Sequence, residues 1–333
     1  MNQRDIARKL GVSQTTVSLV LKNPATEKVS KDKREAILSF SRENGYSPAR
    51  ADGRTGNIGH LIDNRIDLNN PFYQRFFCGI QQAAAAAGMN VIVENGAGAD
   101  TRLLSPRKVD GLIIERDINE DQLHTLTTVL PGVLLNVPVN KMPCDTVTAD
   151  NHGGVREAVK HLVCAGFKRV AFFVPRLDGV PPGLNERERI DGFHNACREF
   201  NLDVPEAYVR FPKIEAATTA ATAEVIRATL LAWREMAAPP EAVVCCNDLY
   251  AVTMLHEAAA LGVAVPKDLS VIGIDNSPAA EIAYPTLTSV DHNAEAMGRL
   301  AVELLLRRID GFDGPCVRTQ CGAELVLRNS VRT

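Results

Sequence analysis

Residues 5–23, DIARKLGVSQTTVSLVLKN, decide how the first part of this chain is read. Ile6, Ala7 and Leu10 fall on one face of a helix over 3–10, and Val17, Val20 and Leu21 on one face of a helix over 14–22. Gly11 suits the left-handed position that ends the first helix, and Ser13 can cap the second through its side-chain oxygen. Ser30 can cap a third helix, roughly 31–44, with Ala36, Ile37 and Phe40 inward and Gly45 at its end. Two short helices across a glycine turn form a helix-turn-helix, whose second helix enters the DNA major groove with its N-terminal residues at base edges. Gln14, Thr15, Thr16 and Ser18 lie there. Glutamine can bond adenine bidentately, and threonine offers a hydroxyl, or a methyl to thymine. Arg8, Lys22, Lys31, Lys33 and Arg34 surround them and can neutralise phosphates. A ligand-free three-helix bundle has the same apolar pattern, so the pattern alone leaves both readings open.

Charge is distributed unevenly. Residues 1–56 carry 11 Lys/Arg against 6 Asp/Glu, a net +5, while the rest carry 26 against 34, a net −8. A basic head on an acidic body fits a protein whose head alone meets a polyanion. The 333 residues, 45% apolar and 23% charged, suit two or three globular units. Residues 1–10 are polar with no apolar core behind them, and no apolar run reaches membrane-spanning length, so a cytoplasmic protein without a membrane partner is expected. The eight cysteines form no C-x-x-C pair and read as reduced core thiols; neither a metal nor a cofactor is expected.

The periodicity changes after residues 49–57, ARADGRTGN, a linker with two glycines and no apolar pattern. From 58 onward short apolar runs, among them IGHLI, DGLIIE, RVAFFV, AVVCC and SVIGI, alternate with amphipathic helical stretches. Such runs suit buried parallel strands, and the alternation implies right-handed crossovers in doubly wound sheets. About ten strands exceed one ordinary sheet, so two similar α/β subdomains are expected. The fold class is therefore an all-α head followed by an α/β core of two doubly wound parallel-sheet subdomains.

With its continuation VSKDKREAI and NGYSP, the opening stretch resembles the DNA-binding head of the lactose-repressor/galactose-repressor (LacI/GalR) family of transcriptional regulators. IGHLI, NNPFYQRFFCGIQQAAAAAGMNVIV, VDGLII, ADNHGGVREAVKHLVCAGFKRVAFF, RERIDGF, AVVCCNDLYAV, VPKDLSVIGIDN and YPTLTSV follow in family order, so the resemblance covers nearly the whole chain. It implies a periplasmic-binding-protein-like core, three crossovers between subdomains, and a homodimeric repressor on roughly palindromic double-stranded DNA. A small effector, a sugar or sugar derivative, would gate it from the cleft. The implied organisation is a head at 1–48, a shortened linker at 49–57, a first regulatory subdomain at 58–163 and 286–312, and a second at 164–285 and 313–333.

Carried residue by residue, Gln14, Thr15 and Ser18 match contacting positions of the recognition helix; Thr16, Asn2, Lys22, Ser30 and Arg34 complete the expected DNA-binding set. Asn70, Phe72 and Tyr73 match the first-subdomain cleft segment, where an aromatic can stack on a ring; Asp150 matches the start of the central cleft loop. Arg189, three residues before Gly192, matches an effector-contacting arginine; Asn247, Asp248 and Asp275 match polar residues at strand ends. Sugar hydroxyls favour planar carboxylate, amide and guanidinium partners at the carboxyl ends of parallel strands, which suits these types. A turn or helix cap is the alternative for Asn247, Asp248 and Asp275, most of all for Asp248, and core packing is the alternative for Phe72 and Tyr73.

The chain departs from the family in three places. ARADGRTG lacks the leucine that members wedge into the minor groove, and with two glycines it is a poor hinge helix. Leu19 stands where a basic residue is common, and Asn2-Gln3 replace the usual start. ENGAGADTRLLSPRKVDG shortens the next helix to about 100–105. A solute-binding protein, or a regulator without normal operator binding, is the alternative. No G-x-S-x-G, Walker or H-E-x-x-H motif points to an enzyme.

Overall fold

The structure, a computed structural model, describes residues 3–22, 26–44, 54–63, 71–95, 108–116, 118–137, 144–215 and 218–332. Asn2, Gly45, Asn70, the expected short helix at 100–105 and residues 49–53 of the expected linker lie outside them.

The head folds as α1 (Gln3–Leu10), α2 (Gln14–Lys22) and α3 (Lys31–Glu43). Ile6, Ala7, Val17, Val20, Val29 and Ile37 form its core. Gly11 takes φ +63°, the left-handed turn that separates α1 from α2. Ile37 is buried as expected and Phe40 half-buried, but Ala36 faces solvent.

Behind the head the chain runs β1 (Asn57–Ile62), α4 (Pro71–Ala86), β2 (Asn90–Asn95), β3 (Gly111–Glu115), α5 (Glu120–Val129), β4 (Gly132–Leu135) and β5 (Asp145–Ala149). It continues α6 (Asn151–Cys164), β6 (Val170–Phe173), β7 (Arg176–Leu177), α7 (Leu184–Glu199), β8 (Val209–Arg210), β9 (Lys213–Ile214) and α8 (Thr219–Arg234). The last stretch is β10 (Ala242–Cys245), α9 (Asp248–Ala260), β11 (Ser270–Ile274), α10 (Pro278–Ile282), β12 (Thr288–Asp291), α11 (Ala294–Ile309), β13 (Arg318–Cys321) and β14 (Glu324–Val326). Among the described residues the strands form two six-stranded sheets, β13-β5-β4-β3-β1-β2 and β14-β12-β11-β10-β6-β8, with β7 and β9 a small pair apart. All pairings within the two large sheets are parallel except β12 with β14. The apolar runs have no polar alternation because both sheet faces are covered: Val170 and Phe172 of β6 enter one core, Ala171 and Phe173 the other.

The chain passes between subdomains three times, after β5, after β12 and after β13. The expected boundaries need correction at each crossing. α6, expected with the first subdomain, packs Val155, Ala158, Val159 and Leu162 against Phe172 and Phe193 of the second. β12, also expected in the first, continues the second sheet with Ile272 opposite Thr288. β13, expected in the second, extends the first sheet with Arg318 opposite Thr146. Apolar pattern marks a strand but not its neighbour, which the pairing register decides. The linker also ends earlier than expected. The amides of Thr55 and Gly56 donate to the Asp110 carboxylate at 2.6 and 2.7 Å, Arg54 reaches Asp310 at 2.7 Å, and Asn57 opens β1.

α4 and α11 cross so closely that a Cβ on Gly79 would overlap the carbonyl of Glu295, and one on Gly298 that of Phe76. Gly79→Ala should therefore push the two helices apart and cost about 1–3 kcal/mol, the usual size of overpacking. Urea denaturation should show the lower midpoint; an unchanged midpoint would mean that the crossing relaxes freely.

Candidate functional site

Two places collect the expected residues. The first is the N-terminus of α2. Ser13 Oγ accepts the Thr16 amide at 3.0 Å, and the Ser13 and Thr16 hydroxyls lie 2.8 Å apart. This cap leaves Gln14 and Thr15 exposed and Thr16 and Ser18 half-buried. The Thr16 hydroxyl is thus engaged within the head. Arg34 is half-buried and spends one arm on the Thr26 carbonyl at 2.9 Å, so it holds the α2–α3 connection as well as carrying charge. Ser30 is exposed, and its carbonyl rather than its hydroxyl receives the Arg34 amide at 2.9 Å. The Lys22 side chain lies outside the described residues.

The second place is a cavity of 360 Å³ between the subdomains, at the carboxyl ends of the strands. That is where open α/β sheets hold ligands, since loops diverge there and leave a crevice. Phe72, Tyr73, Arg189, Asn247 and Asp275 all line it. Arg189 is buried; its Nε donates to Asn151 Oδ1 at 2.9 Å, one terminal nitrogen donates to the Cys246 carbonyl, and the other reaches Asp275 at 3.4 Å. Asp275 holds φ +113°, a rarely populated backbone state that turns its carboxyl at the end of β11. Burial pushes that carboxyl up to about 7, against the pull of Arg189. Tyr73 is pushed up to about 12 by burial first and the nearby Glu115 next, so its phenol stays a donor. Phe72 packs edge-on against Tyr73 at 5.5 Å and belongs mainly to the core beneath.

Two expected effector residues do other work. Asp150 does not line the cavity; its side chain caps α6 by accepting the Gly153 amide at 2.8 Å. Asp248 is buried with one oxygen on the Ser277 amide at 2.6 Å and the other on the Ser289 hydroxyl. Burial pushes it up to about 6, and it ties α9 to β12 and the turn after β11. Asn247 combines both roles, capping α9 through the Tyr250 amide at 3.1 Å while facing the cavity. Cap and site compete for the same residue types at strand ends, which is why spacing alone could not separate them.

The structure adds residues that the sequence reading missed. Glu115, at the end of β3, is buried in the cavity wall; one oxygen meets His60 Nε2 at 2.9 Å and the other has no hydrogen-bond partner. Burial raises its pKa above the usual carboxylate range, with His60 opposing. The rule that selected Asp275, a polar residue ending an apolar strand, selects Glu115 too. Asn136 follows β4 in the same way, at φ +55°, and accepts from Asn185 of α7 across the cleft at 3.3 Å. Arg75 of α4 also crosses, meeting both oxygens of Asp291 at 3.1 Å and the Asp275 carbonyl at 3.0 Å.

Three of the cysteines expected in the core, Cys78, Cys164 and Cys316, are exposed, and all eight are free. Among the described residues no group of three His, Cys, Asp or Glu could hold a metal, and no helix is long and apolar enough to cross a membrane.

Comparison with known proteins gives this architecture its family. Residues 159–331 match the periplasmic binding protein-like domain, and residues 3–49 match the bacterial regulatory proteins of the lacI family. Along 99% of this chain and 98% of its own length, the HTH-type transcriptional repressor PurR of Photobacterium profundum is 28% identical. The HTH-type transcriptional regulator DegA of Bacillus subtilis is 29% identical over 88% of this chain and 87% of its own. A solved complex of the transcriptional regulator CelR with cellobiose superposes with a TM-score of 0.69 at 28% identity, over 99% of both chains. The lac repressor dimer bound to operator shares the fold at TM-score 0.73 and 22% identity, over 100% of this chain and 99% of its own. The chain belongs to the lacI family of bacterial regulatory proteins, DNA-binding transcription regulators with a periplasmic-binding-protein-like core.

Proposed function

We propose that this protein is a repressor gated by a small polyhydroxylated effector, a sugar or sugar derivative, held between its two subdomains. The observation that carries the reading is the buried Arg189–Asp275 pair in the wall of an inter-subdomain cavity, beside Tyr73 and Asn247. A guanidinium and a carboxylate set in one wall offer donors and acceptors matched to adjacent hydroxyls, and both subdomains contribute to the wall. The relative solved with cellobiose supports a carbohydrate. Arg75 and Asn185 bridge the subdomains around the cavity, so a ligand there acts on their relative orientation, and through it on the spacing of two heads.

A homodimer on a roughly palindromic operator follows from one head per chain. β2 supports it as an edge strand of the first sheet with Ile92 and Val93 exposed. Gln14 and Thr15 read bases in this account. Arg189, Asp275, Asn247 and Tyr73 hold the effector, with Phe72 shaping the floor. The head spans 1–48.

A thermal-shift screen of sugars and nucleosides, followed by mobility shift of palindromic duplexes with each hit, tests the reading. The expected result is a sugar that raises the melting point by mass action and changes duplex retention. A nucleoside alone doing so would replace the sugar, and hits that leave retention unchanged would remove the gating.

The Asp275 carboxyl adds a pH dependence. Hydroxyl donors bind its ionised form, so effector affinity should be full above pH 7 and fall below it, by up to about tenfold per pH unit for one linked proton. Titration calorimetry from pH 5.5 to 8 checks this; Asp275→Asn should flatten the profile.

A further inference from the structure

The cleft cavity does not end at Asp275. A second chamber of 550 Å³ opens beside it, within the second subdomain, and the two share walls formed by Pro175, Gly183, Glu186, Asn247, Tyr250 and Asp275. Its character differs. Ile214 and Pro181 line it, and Leu177, Val180 and Leu249 stand in its wall with 36%, 48% and 54% of their surface exposed. Exposed apolar side chains are ordinary when scattered, but three around one concavity form a surface that an apolar group would cover. Tyr250 stands between the chambers with its phenol pushed up to about 12 by burial, so it presents a neutral aromatic wall to both. At the shared edge, Glu186 is held on Arg176 at 2.8 Å, and Arg176 lies over the Phe211 ring at 4.1 Å. That pairing turns these two charged groups toward each other, and although Thr218, Thr219, Thr222, Thr253 and the braced Asp248 also line the chamber, most of its surface is apolar.

The cleft cavity is near the lower limit of size for a small-molecule site, and the second chamber is larger. We infer that the effector has two parts: a polar ring at Arg189 and Asp275, and an aromatic aglycone that passes Tyr250 into the Leu177–Val180–Leu249 chamber. The protein therefore selects aryl glycosides over free monosaccharides. The aromatic group gains from burial of apolar surface against Leu177, Val180 and Leu249, in the larger of the two chambers. This deepens the proposed function and rests on it for the polar ring, while the chamber stands on its own geometry.

Phenol, titrated into the full-length protein with labelled methyl groups, probes the chamber without any sugar. Saturable shifts are expected at Leu177, Val180, Ile214 and Leu249. Their apparent affinity should fall at least tenfold in Leu249→Asp and in Val180→Asp, two exposed positions where a carboxylate does not threaten the fold. No saturable shifts, or shifts indifferent to both substitutions, would overturn the inference. Methyl and phenyl β-D-glycosides of glucose, galactose and xylose are then compared in pairs. In any pair that binds, the phenyl member should bind at least tenfold more tightly, with the advantage lost in Leu249→Asp and the methyl glycoside unaffected. Equal binding within a pair would overturn the two-part ligand. Phenol shifts with no glycoside bound would instead overturn the sugar reading and leave the apolar chamber standing.

Discussion

Arg189→Ala should be the most damaging single change in the cleft. It removes the cation that faces buried Asp275 and orphans the Asn151 amide oxygen and the Cys246 carbonyl at once. Breaking a buried pair from one side typically costs about 3–5 kcal/mol, because the remaining charge is stranded. The Asp275 carboxyl, already pushed up to about 7, would rise further and take up a proton near neutral pH. Two results are expected: a lower urea midpoint, and loss of the effector's influence on DNA retention in whatever protein remains folded. Asp275→Asn separates them. It keeps shape and one acceptor, leaves Arg189 bonded to Asn151 and the Cys246 carbonyl, removes the pH-dependent charge, and should weaken effector response with a smaller loss of stability than Arg189→Ala. Full effector response in both variants would place the effector elsewhere.

The second large effect lies in the head. Gln14→Ala with Thr15→Ala removes the exposed side chains at the start of α2 while leaving the Ser13–Thr16 cap and the Ile6–Val17–Val20 core untouched. A good bidentate base contact discriminates by about 1–3 kcal/mol. The double variant should lose about tenfold to a few hundredfold in affinity for its cognate duplex. Its affinity for random duplex, and the salt dependence of that binding, should hardly change, because phosphate contacts from surrounding cations remain. Fluorescence anisotropy against both duplexes across a salt series checks this. Equal losses on both would mean that these positions support the fold or the phosphate contacts rather than reading bases.

Sequence legibility followed the physics of each feature. The head was readable because its signals are local: Gly11 takes the left-handed turn, Ser13 makes the cap, and α1 and α2 have the expected bounds. Strands such as β6 and β11 were readable because burial on both faces leaves uninterrupted apolar runs. Subdomain membership was not, since β12 and β13 are assigned by hydrogen-bond partners far away in sequence. α5 carries little signal in sequence beyond the Asn119–Gln122 capping box at its start, because its apolar face is little more than Leu123. Within the cleft, Arg189 and Asp275 lie together although the residue pattern gives no sign of the pairing, and strand-end carboxylates look alike in sequence. Asp150 became a cap and Asp248 a brace, while Glu115, at an equivalent strand end, faces the cavity. Which of these turns outward depends on loop conformation, such as the positive φ of Asp275, which residue spacing does not encode.

The central claim is that occupancy of the cleft and grip on DNA are coupled within one chain. Measuring both legs of the cycle tests it most directly: the Kd of the operator duplex with and without saturating effector from the thermal-shift screen, and the Kd of that effector with and without saturating duplex. The account predicts the same factor on both legs, at least about fivefold, as reciprocity of a coupling free energy requires. A factor of one on both legs, with each ligand still bound, would contradict it.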